Sequence, residues 1–211
     1  MKIWQTEWWL SKIFPDLTWK IDTDRPEIYL TFDDGPIPEV TEFVLDQLGK
    51  YNAKATFFCV GENVKRNPDV FEKILTAGHT AANHTYNHLQ GWKSPDDVYL
   101  DNIAKADQAM VSHTLYKSGG KIPFRPPYGK IKRSQIELLR NNYRIIMWSV
   151  LTKDYDPQMS PEKCLARSLA LTEPGSVVVF HDSLKARRNM EYALPLFLKH
   201  FTEKGYVFRE L

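Results

Sequence analysis

The stretch Ile28-Tyr29-Leu30-Thr31-Phe32-Asp33-Asp34-Gly35-Pro36 carries an apolar, strand-forming run straight into two adjacent carboxylates and closes on Gly-Pro. A strand sends neighbouring side chains to opposite faces. Two consecutive aspartates therefore serve one site only where the strand runs out into a turn. In parallel α/β folds that end of a strand is where the chemistry sits. The competing reading is a solvated turn, since Asp, Gly and Pro are ordinary turn formers. Taken alone, the stretch leaves both open.

Working outward from it, short β-branched or aromatic runs alternate with helical patterns, the signature of βα units and a largely parallel sheet. Strands are expected at 28–32, 55–60, 79–82, 122–124, 144–150, 176–181 and 205–208. Helices are expected at 39–51, 69–77, 133–141, 161–171 and 190–202. A longer one opens at Ser94-Pro95 and repeats Tyr99, Ile103, Ala106 and Met110 on one face. About seven strands in this alternation predict a distorted, incompletely closed (β/α) barrel, and an open doubly wound sheet fits the same string.

The composition sets limits. With 211 residues, 43% hydrophobic and 26% charged, the chain reads as one soluble globular domain over 1–211. Its 28 basic residues nearly balance 26 acidic ones, which disfavours nucleic acid as a partner. No transmembrane segment is read, and nothing fixes an oligomeric state. Cys59 and Cys164 lie far apart in apolar segments and read as small buried hydrophobes rather than a disulfide framework or zinc ribbon. Residues 1–26 form an N-terminal extension whose Trp4, Trp8, Trp9, Phe14 and Trp19 are expected to pack on the barrel rather than to meet a membrane interface. They contain no apolar run of signal-peptide length, so the default compartment is cytoplasmic, with export to the envelope left open.

Followed to their C-terminal ends, the expected strands deliver Asp33 and Asp34, then His84 and His88, then Arg125, then Asp154, then His181 and Asp182. In a parallel barrel these ends share one face. His84-Thr85-Tyr86-Asn87-His88 spaces two histidines so that one compact turn can aim both at one metal. With a carboxylate from Asp33 or Asp34 they complete a two-histidine, one-carboxylate set for an open catalytic zinc. Arg125-Pro126-Pro127-Tyr128-Gly129 stiffens a turn that directs Arg125 and the Tyr128 amide, with an arginine forked onto a carboxylate as the functional reading. His181 ends the most apolar strand and is placed to act as a general acid.

These motifs in this order resemble the polysaccharide deacetylases, the NodB-homology group also called carbohydrate esterase family four. The resemblance runs from about Glu27 to Tyr206 through Thr31–Pro36, His84–His88, Arg125–Gly129, Trp148–Tyr155 and Phe180-His181-Asp182. It implies Asp34, His84 and His88 as ligands of one divalent metal, zinc first and cobalt or nickel as substitutes. It implies Asp33 as the general base, oriented by Arg125, and the Tyr128 backbone N–H as an oxyanion donor. His181 is implied as the general acid, tuned by Asp154. The activity implied is removal of N-acetyl groups from N-acetylglucosamine units of peptidoglycan or chitin-like oligomers. The alternatives are O-deacetylation of acetylated xylan or another esterified glycan, and a catalytically silent carbohydrate-binding protein. One segment departs from the pattern: where the family has Asp-x-x-Asp-Trp, this chain has Leu151-Thr152-Lys153-Asp154-Tyr155. The wall of the substrate groove is affected there. His79 and Asn83 are expected to brace the metal loop, and His113, read as mid-helix, takes no role.

Overall fold

The structure is a computed structural model that describes residues 12–116 and 120–211. In chain order the strands are β1 (Leu17–Thr18), β2 (Glu27–Asp33), β3 (Thr56–Cys59), β4 (Thr80–Asn83), β5 (Ile122–Phe124), β6 (Tyr143–Ile146), β7 (Val150–Leu151), β8 (Val177–His181) and β9 (Val207–Arg209). The helices are α1 (Val40–Lys50), α2 (Gly61–Arg66), α3 (Pro68–Thr76), α4 (Asp96–Val111), α5 (Arg133–Leu139), α6 (Pro161–Leu171) and α7 (Arg187–Glu203).

The strands pair in the order β1-β6-β5-β4-β3-β2-β8-β7, with β9 beside the start of β2, and every ladder is parallel. β6 and β7 lie near opposite ends of that order yet are separated by only Met147, Trp148 and Ser149. The chain itself thus brings the two edges together while the ladder is interrupted. The result is the distorted, incompletely closed (β/α) barrel, and the doubly wound alternative falls away.

Alternation along β2 sorts the core into two layers. Ile28, Leu30 and Phe32 face the helices and pack with Val44 and Leu48 of α1 and Leu194 and Phe197 of α7. Tyr29 faces the barrel interior, in a smaller cluster with Phe58, Ala82, Ile146 and Val177. A strand buried on both faces reads as a continuous apolar run, which is why Ile28–Phe32 is so conspicuous. Thr31 and Asp33 share the interior parity of Tyr29, so the polar end of β2 points into the mouth of the barrel.

Helix starts follow local chemistry. Ser160 caps α6 by accepting the Lys163 N–H at 3.3 Å, ahead of Pro161 at the first helical position. Gly78 follows α3 at φ 73, a turn that a Cβ would disfavour.

Several expectations are corrected. The strand expected over 144–150 is broken at 147–149, where the Ile146 and Met147 carbonyls accept hydrogen bonds from Arg125. α4 begins at Asp96 with Pro95 as its cap, not as its first residue, and ends at Val111. His113 therefore lies beyond the helix, its Nδ1 3.5 Å from Glu72. α7 starts at Arg187, earlier than the apolar pattern suggested, and α2 was not anticipated. Phe14 and Trp19 pack beside Leu17, Tyr99, Phe124 and Ile145, whereas Trp4, Trp8 and Trp9 lie outside the described residues. Both cysteines are free and buried. Among the described residues, no helix is long and apolar enough to cross a membrane.

Candidate active site

The C-terminal strand ends converge as expected for a parallel barrel. Arg125, at the end of β5, is fully buried with its guanidinium 4.0 Å over the Phe58 ring. Its Nη1 donates to Asp33 Oδ1 at 2.6 Å and to Thr31 Oγ1 at 2.8 Å. Nη2 donates to the Met147 carbonyl at 2.8 Å and Nε to the Ile146 carbonyl at 3.3 Å. The fork anticipated on one carboxylate is therefore a single contact, since the other donors hold the broken β6–β7 junction. Burial alone would raise the Asp33 pKa. The charges of Arg125, His84 and His181, with the Arg125 hydrogen bond, outweigh it and hold the carboxyl below its ordinary 3.8. Asp33 is thus an anion.

Asp34, one residue on, has a different environment. The backbone swings to φ 85, which takes its side chain off the strand alternation and toward the histidine loop. Asp34 Oδ1 lies 3.3 Å from His88 Nε2 and 3.8 Å from His84 Nε2, and it is buried without a hydrogen-bond partner. One donor atom from each residue falls within 4.8 Å of the others. His84 Nδ1 lies 2.8 Å from the Arg125 carbonyl, so that nitrogen carries the proton and Nε2 keeps a free lone pair. Burial pushes the His84 pKa down to about 4 against the pull of Asp33, so the ring is neutral. His88 Nδ1 meets the Tyr128 hydroxyl at 3.1 Å, with the two rings edge-on at 4.6 Å. The Nε2 atoms of His84 and His88 around an unpartnered buried carboxylate oxygen form a donor set that fits a divalent ion.

The loop carrying these histidines is held from behind. Asn83 Oδ1 accepts the Thr85 N–H at 2.7 Å, while its amide donates to the Ile103 carbonyl and to Asp107 of α4. Asn102, also on α4, accepts the Tyr86 N–H at 2.8 Å. Thr85 and His88 both have left-handed backbones, φ 63 and 58, which non-glycine residues adopt only under such restraint. Asn83 thus braces the loop. His79 instead packs its ring 5.4 Å from Phe57, and its Nδ1 is buried without a partner. Asn102, Asp107 and the Tyr128 hydroxyl were not foreseen as supports. On sequence they look like solvated helix and turn residues.

Across the mouth, His181 Nδ1 lies 2.7 Å from Asp154 Oδ1, and the His181 N–H donates to Asp154 Oδ2 at 2.7 Å. Burial alone would lower the histidine. The Asp154 charge and hydrogen bond, helped by Asp34 and Asp33, instead raise its pKa to about 9. Tyr155 sets its ring edge-on 4.8 Å from His181, so the departure from Trp leaves an aromatic against this histidine. Asp182 is also buried, which pushes its carboxyl up to about 8.

Fold and mouth together define a parallel barrel that gathers a buried base-type carboxylate, a metal-type donor cluster and a cationic histidine at its C-terminal strand ends. The chain belongs to the polysaccharide deacetylase family, whose model matches residues 20–143. It is 37% identical over 163 residues to a peptidoglycan-N-acetylglucosamine deacetylase of Bacillus cereus, covering 76% of this chain and 57% of that protein. A second peptidoglycan-N-acetylglucosamine deacetylase of the same species is 32% identical over 196 residues, covering 91% of this chain and 89% of that one. The crystal structure of the Bc1960 peptidoglycan N-acetylglucosamine deacetylase, in complex with 4-naphthalen-1-yl-N-oxidanyl-benzamide, matches with a TM-score of 0.88 at 31% identity, covering 98% of this chain and 95% of that one.

Proposed function

We propose that this chain is a divalent-metal-dependent hydrolase that removes N-acetyl groups from N-acetylglucosamine units of peptidoglycan or chitin-like oligomers. The observation that carries this reading is the buried Asp34 Oδ1, without a hydrogen-bond partner, facing Nε2 of His84 and of His88. The substrate class is supported by the relatives, both peptidoglycan-N-acetylglucosamine deacetylases. The same reading treats 1–211 as one deacetylase domain, with 1–26 as its extension.

Asp34, His84 and His88 would hold the ion, zinc by preference, with cobalt or nickel accepted by the same donors. When bound, such an ion supplies Lewis acidity and brings the pKa of water to about 7. Asp33, ionised and fixed by Arg125, takes the proton of the water that attacks the acetyl carbon. The Tyr128 backbone N–H receives the carbonyl oxygen as it gains charge. His181, cationic up to about 9, gives its proton to the departing nitrogen, leaving acetate and a free amino sugar. Asp154 fixes the tautomer of that imidazole by occupying Nδ1, so Nε2 is the nitrogen that delivers the proton.

The test is acetate release from N-acetylglucosamine oligomers and from peptidoglycan, with zinc, cobalt or nickel and after chelation. Release that stops with chelator and returns with metal is expected. No release with any of these ions would sink the proposal. Faster release from acetylxylan would move the activity to esters, and glycan binding without turnover would make the chain a silent binder.

A further inference from the structure

The Asp33-Asp34 corner needs a support that neither the base nor the donor cluster provides. Asp34 sits at φ 85, in a region uncommon for residues other than glycine, although aspartate enters it more readily than most. The Phe58 carbonyl accepts the Asp34 N–H at 3.3 Å and the Asn63 amide donates to the Asp34 carbonyl at 2.8 Å, while a single residue, Asp182, reaches both neighbours of Asp34. The Asp182 N–H donates to the Asp33 carbonyl at 3.1 Å, and the Gly35 N–H donates to Asp182 Oδ1 at 3.0 Å. The second oxygen, Oδ2, accepts the Thr41 hydroxyl at 2.6 Å, and Thr41 Oγ1 in turn accepts the Ile37 N–H at 2.8 Å. Asp182 thus grips the chain before and after Asp34 and ties the corner to the first turn of α1.

Shape agrees with the hydrogen bonds. A Cβ on Gly35 would lie 1.9 Å from Asp182 Oδ2, so the glycine is required by this carboxyl. Asp182 is 1% exposed and sits behind the corner, with its bonds going to the backbone and to Thr41. It also directly follows His181, so one dipeptide joins the end of β8 to the corner at the end of β2.

We infer that Asp182 is a positioning residue that fixes the Asp34 backbone so that its carboxylate meets His84 and His88, and that it sets metal affinity and turnover without touching the substrate. This rests on the metal-dependent reading above. Partners that orient a ligand from outside the donor set typically change metal affinity or activity by about 10–100-fold when removed.

Zinc affinity of the metal-free protein is measured by competition with a chromophoric chelator, alongside kcat and KM for acetate release, in wild type, Asp182→Ala, Asp182→Asn and Thr41→Val. Asp182→Ala is expected to weaken zinc binding by about 10–100-fold and to lower kcat with little change in KM. Asp182→Asn, which keeps one acceptor, should recover part of the loss. Thr41→Val removes the two hydrogen bonds of that hydroxyl, to Asp182 Oδ2 and from the Ile37 N–H, and should weaken zinc by several-fold. Ile136→Ala, a core change on α5, is the control for lost stability and should leave zinc affinity unchanged. Wild-type zinc affinity and kcat in a folded Asp182→Ala, or the same zinc loss in Ile136→Ala, would overturn the inference. If Asp182→Ala does not fold, unchanged zinc affinity in Thr41→Val overturns it. A wild type that binds zinc but releases no acetate defeats the deacetylase reading alone, because the affinity comparison still decides the role of Asp182.

Discussion

The barrel mouth holds two ion pairs built from the same chemistry with the parts exchanged. In Arg125–Asp33 the fully buried member is the cation, with its side chain 0% exposed against 5% for the carboxylate. In Asp154–His181 the fully buried member is the carboxylate, 0% against 13% for the histidine. In each pair the deeper residue makes more than one hydrogen bond that fixes it, and the outer one lies nearer the mouth. The consequence is opposite charge tuning: Asp33 is held below its ordinary range while His181 is raised to about 9. Under the proposed function this opposite tuning suits Asp33 as the base and His181 as the acid.

The largest break in that comparison comes from neutralising the outer member of the first pair. Asp33→Asn should lower kcat by about 10³–10⁴-fold, the upper part of what a positioned base contributes. Zinc content by elemental analysis should be unchanged, because Asp34 is the residue that faces the histidines. Loss of zinc in this variant would mean that the two aspartates share the ligand role.

Removing the inner member of the same pair should damage the fold as well as the reaction. Arg125→Met leaves Asp33 as an uncompensated buried charge and frees the Ile146 and Met147 carbonyls. Breaking such a pair costs about 3–5 kcal/mol, to be read from urea unfolding. A loss under 1 kcal/mol, roughly that of an exposed pair, would show that water reaches the site.

The second pair should give a smaller effect with a different signature. Asp154→Asn is expected to reduce kcat by about 10²-fold, the low end for a general acid, with less loss of stability than Arg125→Met. An equal or greater loss of stability would make the two pairs structurally equivalent.

The smallest effect is on stability against pH, and the two pairs fail at opposite ends of the scale. The folded pKa of His181 is raised from 6.5 to about 9, so its contribution is complete below 6.5 and fades as pH rises through about 9. Asp33 is lowered from 3.8, so its contribution is present above 3.8 and fades as pH falls toward the lower folded value. Urea midpoints of wild type and Asp154→Asn should therefore converge in alkali and differ at neutral pH. A constant gap through pH 10 would contradict the histidine assignment.

How much of this was legible in the chain depends on the range of the forces involved. β2, β3, β4 and β8 could be read because strand period and turn chemistry are local, and the polar strand ends followed from them. Asp33, Asp34, His84, His88, Arg125, Asp154 and His181 could be gathered on one face because parallel topology alone puts strand ends together. The gap at Met147–Ser149 could not be read, since it lies beside carbonyls that Arg125, distant in sequence, engages from another strand end. Thr31 looked like strand filler, yet its hydroxyl faces the barrel interior and accepts from Arg125. Asp107 looked like one more acid on an exposed helix face, yet it anchors Asn83 under the histidine loop. Asp182 was visible at a strand end without a role, because its partners are backbone groups of another strand.

The most direct test of the paired-mouth account is the pH profile of kcat/KM for acetate release by wild type and Asp154→Asn. The wild-type rate should fall on the alkaline side with a midpoint near about 9. In Asp154→Asn that midpoint should move to lower pH while the acid limb stays where it is. An alkaline limb at the same pH in both proteins would contradict the account, because the proton donor would then be a group that Asp154 does not hold.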